Sequence, residues 1–79
     1  MDVEIYSKTN CGYCDKAKIK LQNHSPKIHM LDADYTREEF FKKFPNAKTF
    51  PQIIINDEYV GGYHDLEKWL AFNFPDKDF

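Results

Sequence analysis

Two cysteines separated by two residues, Cys11 and Cys14, are the residues of this chain best suited to chemistry. They lie between a segment of alternating apolar residues and a segment of helical periodicity. A sulfur at the start of a helix faces backbone N–H groups without intrahelical partners, and their partial positive charge favours thiolate over thiol. Such a position lowers a cysteine pKa from about 8.5 into the range of roughly 3.5–7.5. The motif therefore predicts thiol–disulfide exchange by a redox-active dithiol.

The two thiols are expected to differ in exposure and in role. Cys11 lies at the entrance of the predicted helix and should be exposed, with Lys8 close enough in sequence to add positive charge near its sulfur. Cys14 lies one turn further on, and it shares a helical face with Ala17 and Leu21, so it should be buried. We expect the Cys11 thiolate to attack a substrate disulfide and form a mixed disulfide, which Cys14 or an external thiol then resolves.

The length and composition exclude several classes of protein. A chain of 79 residues is expected to form one small domain over residues 1–79, with seven Phe, five Tyr and one Trp to build its core. A net charge of −2 argues against binding to nucleic acid. No stretch approaches the roughly 20 apolar residues that span a bilayer. Asp2 and Glu4 interrupt the apolar region of any signal peptide, so we expect the cytoplasm, or the host cytoplasm if the chain is viral.

The period of the apolar positions switches between two and about 3.6, which predicts the element order β-α-β-α-β-β-α. The first β-α-β unit should be parallel and right-handed, and the last two strands should form an antiparallel hairpin. This is an α/β fold with a four-stranded mixed sheet and helices on both faces. The predicted strands are residues 3–6, 27–31, 52–55 and 58–60, and the predicted helices are 13–23, a short one from the Thr36/Glu39 capping box to near Pro45, and about 65–73, with Pro75 beyond.

Other residues capable of chemistry are better explained by structure. A structural zinc site needs about four ligands, and the two cysteines are accompanied by three histidines without paired spacing, so no metal is expected. Each histidine is expected on the surface or in a turn, and the phenylalanines of the second helix are expected to fill the core. These residues are His24, His29 and His64, and Phe40, Phe41 and Phe44.

Two further segments matter if Cys11 is a nucleophile. Pro51 stands at the start of the third strand, and a cis bond after Phe50 would let the Phe50 backbone face the dithiol, but the residues leave the isomer open. The segment from Gly61 to Asp65 precedes the last helix. It fits either a flexible turn with Asp65 as a cap or a site for a carboxylate at the helix start, and both interpretations stay open.

Three motifs stand in order along the chain: Cys11-Gly12-Tyr13-Cys14, Thr49-Phe50-Pro51-Gln52 and Gly61-Gly62-Tyr63-His64-Asp65. Together they closely resemble the motifs of the glutaredoxins, above all the small bacterial and bacteriophage members. The resemblance implies a thioredoxin-like fold, a cis Phe50–Pro51 bond, Cys11 as nucleophile and Cys14 as resolving thiol. The glutathione-binding residues that it implies are Lys8, Tyr13, Thr49, Phe50, Pro51, His64 and Asp65.

The resemblance also implies an activity and its partners. The expected activity is that of a monomeric, glutathione-dependent thiol–disulfide oxidoreductase acting on protein disulfides and glutathione mixed disulfides, with ribonucleotide reductase as a candidate acceptor. One alternative is an electron carrier recharged by thioredoxin reductase. Another is a [2Fe–2S] cluster-binding module, because relatives that lack proline at the position of Gly12 sometimes hold such a cluster with glutathione.

The second helix departs from the family pattern. It carries Phe41 and Lys42 where many relatives have a glutamine that contacts the glycine carboxylate of glutathione. Arg37 or Lys42 are the candidate cations for that carboxylate.

Overall fold

The computed structural model describes residues 1–74. A short 3-10 turn, Gln22–His24, follows the first helix, so the helix predicted over residues 13–23 ends early, at Lys20. The other elements agree with the predicted order, and Pro75 lies outside the described residues. The elements are β1 (Val3–Ser7), α1 (Gly12–Lys20), β2 (Lys27–Met30), α2 (Arg37–Lys43), β3 (Gln52–Ile55), β4 (Glu58–Gly61) and α3 (Tyr63–Asn73).

The four strands form one mixed sheet in the order β2-β1-β3-β4. β1 and β2 are parallel, with Ile5 opposite Ile28, whereas β1 and β3 are antiparallel, with Ile5 opposite Ile53. The predicted hairpin of β3 and β4 is confirmed. Its two turn residues, Asn56 and Asp57, have φ of 52° and 63°, as a two-residue hairpin loop of the I′ type requires.

The helices cover both faces of the sheet, as predicted. On one face, α1 and α3 pack on the sheet around an aliphatic core, and the partly buried Trp69 packs against it. Because β1 and β4 both run antiparallel to β3, they end at the same edge of the sheet, so α1 and α3 both begin there. The core consists of Val3, Ile5, Ala17, Leu21, Ile53, Ile55, Leu66 and Leu70.

An aromatic cluster under α2 covers the other face. Phe40 and Phe44 are buried in it, as predicted, and the Phe40 ring stacks on Phe50 with centroids 4.5 Å apart. Phe41 was expected in the core and is instead 46% exposed, since successive residues on a helix point about 100° apart and only one side of α2 meets the sheet. The cluster therefore supports the segment that carries Phe50.

Tyr35 anchors this cluster to the end of β1. Its hydroxyl donates to the carbonyl oxygen of Ser7 over 2.6 Å, and the side chain is buried. Burial raises the pKa of Tyr35 to about 12, because the phenolate would lose its hydration.

His29 was expected on the surface or in a turn, and that prediction is wrong. It lies on β2 directly opposite Tyr6, and the two rings stack with centroids 4.4 Å apart. Its Nε2 is 3.0 Å from Glu4 Oε1. The neighbouring strand therefore covers this histidine, a contact that sequence spacing does not reveal.

Within residues 1–74, no helix combines the length and the apolar character needed to cross a membrane.

Candidate active site

The dithiol lies at the start of α1, as predicted. Cys11 is the N-cap residue, with an extended backbone (φ −125°, ψ 103°), and its Sγ accepts a hydrogen bond from the Cys14 N–H over 3.2 Å. The two sulfurs are joined in a disulfide, with the Cα atoms 5.2 Å apart, so the structure shows the oxidised dithiol. Cys14 is fully buried, as predicted, whereas Cys11 was expected to be exposed and is half-buried. Cys11 is therefore the more accessible of the two cysteines.

Phe50 forms one side of the site. Its bond to Pro51 is cis, which agrees with the resemblance and resolves the isomer that the residues left open. The Phe50 carbonyl oxygen lies 3.8 Å from Cys11 Sγ. The Nζ of Lys8 stands 5.5 Å from the centroid of the Phe50 ring. The Lys8 charge therefore lies against the ring of Phe50, and the carbonyl of the same residue lies next to Cys11 Sγ.

The start of α3 forms a second side. The helix begins at Tyr63, two residues before the predicted start, and Gly62 is its N-cap residue, without a side chain to cap the free N–H groups. Asp65 is the third residue of the helix and not its N-cap residue, but its carboxylate does cap the helix start, as one interpretation expected. Its Oδ2 accepts from the Gly62 N–H over 3.1 Å. Gly61 has φ +119°, and a Cβ there would lie 2.5 Å from that oxygen, so this approach requires glycine.

Thr49 and Pro51 lie against the start of α3. A Cβ added to Gly62 would stand 3.5 Å from Thr49 Oγ1 and 3.6 Å from the Pro51 carbonyl oxygen. Gln52, which is 3% exposed, donates to the Thr49 carbonyl over 2.8 Å and accepts from the Tyr59 hydroxyl. This buried amide fixes the Thr49–Pro51 turn. Gln52 was not predicted to hold this turn, although a lone polar residue at the start of an apolar strand was a signal for such a role.

Tyr13 and His64 meet beside the dithiol. The Tyr13 ring is 47% exposed, and its centroid lies 5.3 Å from that of His64 and 5.4 Å from that of Tyr63. Lys16 Nζ stands 5.0 Å from the Tyr13 centroid. Tyr63 and Lys16 were not predicted as site residues. Two features of the sequence could have indicated them. Tyr63 directly follows Gly62, and Lys16 follows Tyr13 by three residues, which places the two side chains on the same side of a helix.

The structure thus groups the predicted site residues around the two helix starts. The Phe50 carbonyl lies beside Cys11, and Lys8 lies against the Phe50 ring. Thr49, Pro51 and Asp65 lie around Gly62, and Tyr13 contacts His64. The candidate cations Arg37 and Lys42 are both exposed on α2. Over the described part of the chain, no group of three or more His, Cys, Asp or Glu side chains is placed to hold a metal ion.

Comparison with known proteins agrees with this geometry. The family model named Glutaredoxin matches residues 3–60. Glutaredoxin 3 of Escherichia coli is 38% identical over 68 residues, which cover 82% of this chain and 81% of that protein. The chain belongs to the glutaredoxin family. Glutaredoxins are thiol–disulfide oxidoreductases, so the predicted enzyme class is confirmed for this family member.

Solved structures confirm the thioredoxin-like fold. Reduced Escherichia coli glutaredoxin superposes with a TM-score of 0.76 at 28% identity, over 95% of this chain and 99% of that one. Glutaredoxin 1 of Francisella tularensis, complexed with cacodylate, gives a TM-score of 0.74 at 27% identity, over 95% of this chain and 96% of that one.

Proposed function

We propose that this glutaredoxin reduces protein disulfides and glutathione mixed disulfides with electrons from glutathione, in the cytoplasm. The observation that carries the proposal is the Phe50 carbonyl 3.8 Å from Cys11 Sγ, near a helix start whose N-cap residue Gly62 has no capping side chain. Glutathione joins an extended peptide around its sulfur to a free carboxylate and an ammonium. The Phe50 carbonyl is a hydrogen-bond acceptor for the extended peptide, and the start of α3 can bind the charged groups.

The cysteinyl unit and the γ-glutamyl end of glutathione have partners of suitable chemistry in this groove. The Phe50 backbone pairs with the cysteinyl unit, and the side chains of Lys8 and Tyr13 line the groove on either side of Cys11. The γ-glutamyl carboxylate is held by the His64 backbone at the start of α3, where the helix dipole favours an anion. Asp65 binds the neighbouring ammonium. The turn formed by Thr49 and Pro51 lies against Gly62, next to this helix start.

The reduced Cys11 sulfur reacts as a thiolate. The Cys14 N–H that donates to Cys11 Sγ, together with the dipole of α1, stabilises negative charge on that sulfur. Cys14 is buried and lies one turn into the helix, without this position at the helix start. The two thiols therefore have separate tasks, attack for Cys11 and resolution for Cys14.

With a glutathione mixed disulfide, Cys11 completes the reaction without Cys14. The Cys11 thiolate attacks the glutathione sulfur, the substrate S–S bond breaks, and the substrate leaves as a thiolate that takes a proton from water. A second glutathione thiolate then attacks the Cys11-bound glutathione sulfur. Glutathione disulfide leaves, and the Cys11 thiolate is restored.

With a protein disulfide, both thiols are used. The Cys11 thiolate attacks one substrate sulfur and the other sulfur leaves as a thiolate, which gives a mixed disulfide on Cys11. The Cys14 thiolate attacks the Cys11 sulfur, releases the second substrate thiolate and forms the Cys11–Cys14 disulfide that the structure shows. Two glutathione molecules reduce it and leave as glutathione disulfide. Ribonucleotide reductase is the proposed acceptor protein.

A paired-reductase assay tests the source of electrons. NADPH oxidation is followed with a glutathionylated peptide or ribonucleotide reductase as substrate, in one arm with glutathione and glutathione reductase, in the other with thioredoxin reductase. We expect turnover in the glutathione arm, and none with Cys11→Ser. Turnover with thioredoxin reductase alone would instead make the protein a carrier and contradict glutathione dependence.

A further inference from the structure

A shallow hollow of about 260 Å³ lies against the first turn of α1, lined by Gly12, Tyr13 and Lys16. Of these three residues, Tyr13 alone also belongs to the proposed glutathione groove. Apart from its chain neighbours and the backbone of α1 itself, a Cβ added to Gly12 would meet no atom within 4 Å, so there is open space directly after Cys11. A substrate chain attacked at Cys11 therefore has free space on this side.

The exposed side of α1 continues the hollow. Ile19 is 65% exposed, and it follows Lys16 by three residues, so the two lie on the same side of the helix. The buried residues of α1, Cys14 and Ala17, face the sheet. We call the surface formed by Gly12, Tyr13, Lys16 and Ile19 the α1 docking face. It joins an exposed apolar side chain and a lysine to the accessible sulfur.

We propose that the α1 docking face binds the segment of a disulfide-bearing protein that flanks the cysteine attacked by Cys11. An apolar side chain of that segment packs on Ile19, and an acidic one pairs with Lys16. The proposal rests on the proposed function in one respect, the role of Cys11 as nucleophile, and it adds the class of protein segment that is preferred.

The distances along α1 indicate which residues of the substrate segment make these contacts. At 1.5 Å per residue, Lys16 and Ile19 lie about 6 and 10 Å along the helix from Gly12. An extended chain covers about 3.3 Å per residue, so substrate residues two and three positions from the attacked cysteine reach them. A glutathione held between Phe50 and the start of α3 does not extend this far. The face thus fits a longer polypeptide.

Charge on α1 favours an acidic residue in the partner. Lys16 Nζ stands over the exposed Tyr13 ring, where the cation remains available to a carboxylate from the substrate. Besides Lys16, α1 carries one acidic residue, the exposed Asp15, and two lysines in its last turn, Lys18 and Lys20. A carboxylate next to one apolar side chain therefore matches this face.

Two synthetic peptides test this preference with the full chain, reduced beforehand and freed of reductant. Each carries one cysteine in a mixed disulfide with thionitrobenzoate, which becomes coloured when a thiolate attacks the peptide sulfur. One peptide has Glu two residues and Leu three residues from the cysteine, on both sides. The other has Ser at all four positions. Single-turnover release of the chromophore gives the rate constant for each.

We expect the Glu/Leu peptide to react about fivefold faster than the Ser peptide, as suits partial burial of one apolar side chain. Ile19→Gln should remove most of that difference and leave the Ser peptide rate unchanged. Phe72→Gln is the matched control, because Phe72 is 86% exposed and lies near the C-terminal end of α3. It should keep the full preference.

Equal rates for the two peptides with the unmodified protein would overturn the proposal, as would an equal loss of preference in Ile19→Gln and Phe72→Gln. No glutathione is present, so failure of glutathione dependence in the paired-reductase assay leaves this result unaffected. Conversely, if a glutathionylated peptide is turned over but the Glu/Leu and Ser peptides react at equal rates, the proposed docking face is wrong and the proposed function stands.

Discussion

α1 and α3 begin at the same edge of the sheet, but their first turns are completed in different ways. At α1 a sulfur occupies the cap position, and the Cys14 N–H donates to it. At α3 the cap residue is Gly62, and the nearest acceptor is the Asp65 carboxylate from inside the helix. We therefore expect the same backbone dipole to stabilise the reduced Cys11 thiolate at α1 and the carboxylate of a bound glutathione at α3.

α2 begins differently from both of these helices. It begins on the opposite face of the sheet with a complete capping box, in which Thr36 accepts from the Glu39 N–H over 3.1 Å and Glu39 accepts from the Thr36 N–H over 3.0 Å. The N–H groups of Thr36 and Glu39 are thus satisfied by the side chains of the helix start itself. Each helix at the site has only half of such a box: Cys11 Sγ accepts from the Cys14 N–H at α1, and Asp65 accepts from the Gly62 N–H at α3.

The cap sulfur of α1 should have the largest effect on turnover. We expect Cys11→Ser to lower the turnover of a glutathionylated peptide on the order of 10³-fold or more, because the hydroxyl is not ionised at neutral pH. Cys14→Ser is the matched control and should retain turnover, since a second glutathione resolves the Cys11 adduct. The glutathione reductase-coupled assay measures both.

A complete loss of activity in Cys14→Ser would contradict the route through Cys11 alone. It would mean that the two thiols act as one unit and that their different positions on α1 do not separate their roles.

At α3, the two glycines before the helix should respond very differently to alanine. Gly61→Ala places a Cβ 2.5 Å from Asp65 Oδ2 at a φ of +119°, so the carboxylate must move away from the Gly62 N–H. We expect a loss of about 1–3 kcal/mol of unfolding free energy from backbone strain. The KM for glutathione should rise severalfold while the reactivity of Cys11 with a small alkylating reagent is unchanged.

Gly62→Ala is the control for this change. Its Cβ would make contacts of 3.5 Å and longer, and its backbone is extended, so unfolding free energy should change by less than about 0.5 kcal/mol. Urea unfolding measures stability in both variants. Equal effects of the two alanines would show that the carboxylate position does not depend on Gly61.

The smallest effect is expected at α2. Thr36→Ala removes the side-chain half of the capping box and should cost about 1 kcal/mol of unfolding free energy. Thr36 lies outside the stack of Phe40 on Phe50 that joins α2 to the redox site, so kcat for the glutathionylated peptide should not change. A lower kcat would show that the first turn of α2 is coupled to the redox site.

Local signals in the sequence predicted the elements well, since each depends on residues a few positions apart. The Thr36/Glu39 box and the Asn56–Asp57 turn are both in the structure. The start of α3 was placed two residues late, because a glycine cap has no side chain to mark it. Phe41 was misassigned because α2 meets the sheet along one side only.

By itself, the sequence determined which residues carry the chemistry: two thiols at a helix start, with glycines before another helix. The tertiary structure decided which distant residues meet them. The Phe50 carbonyl reaches Cys11, and Tyr63 and His64 reach Tyr13, because the strand order brings segments about 40 to 50 residues apart to one edge of the sheet. Hydrogen-bond and side-chain periodicity act over three or four residues, so no local pattern contains those contacts.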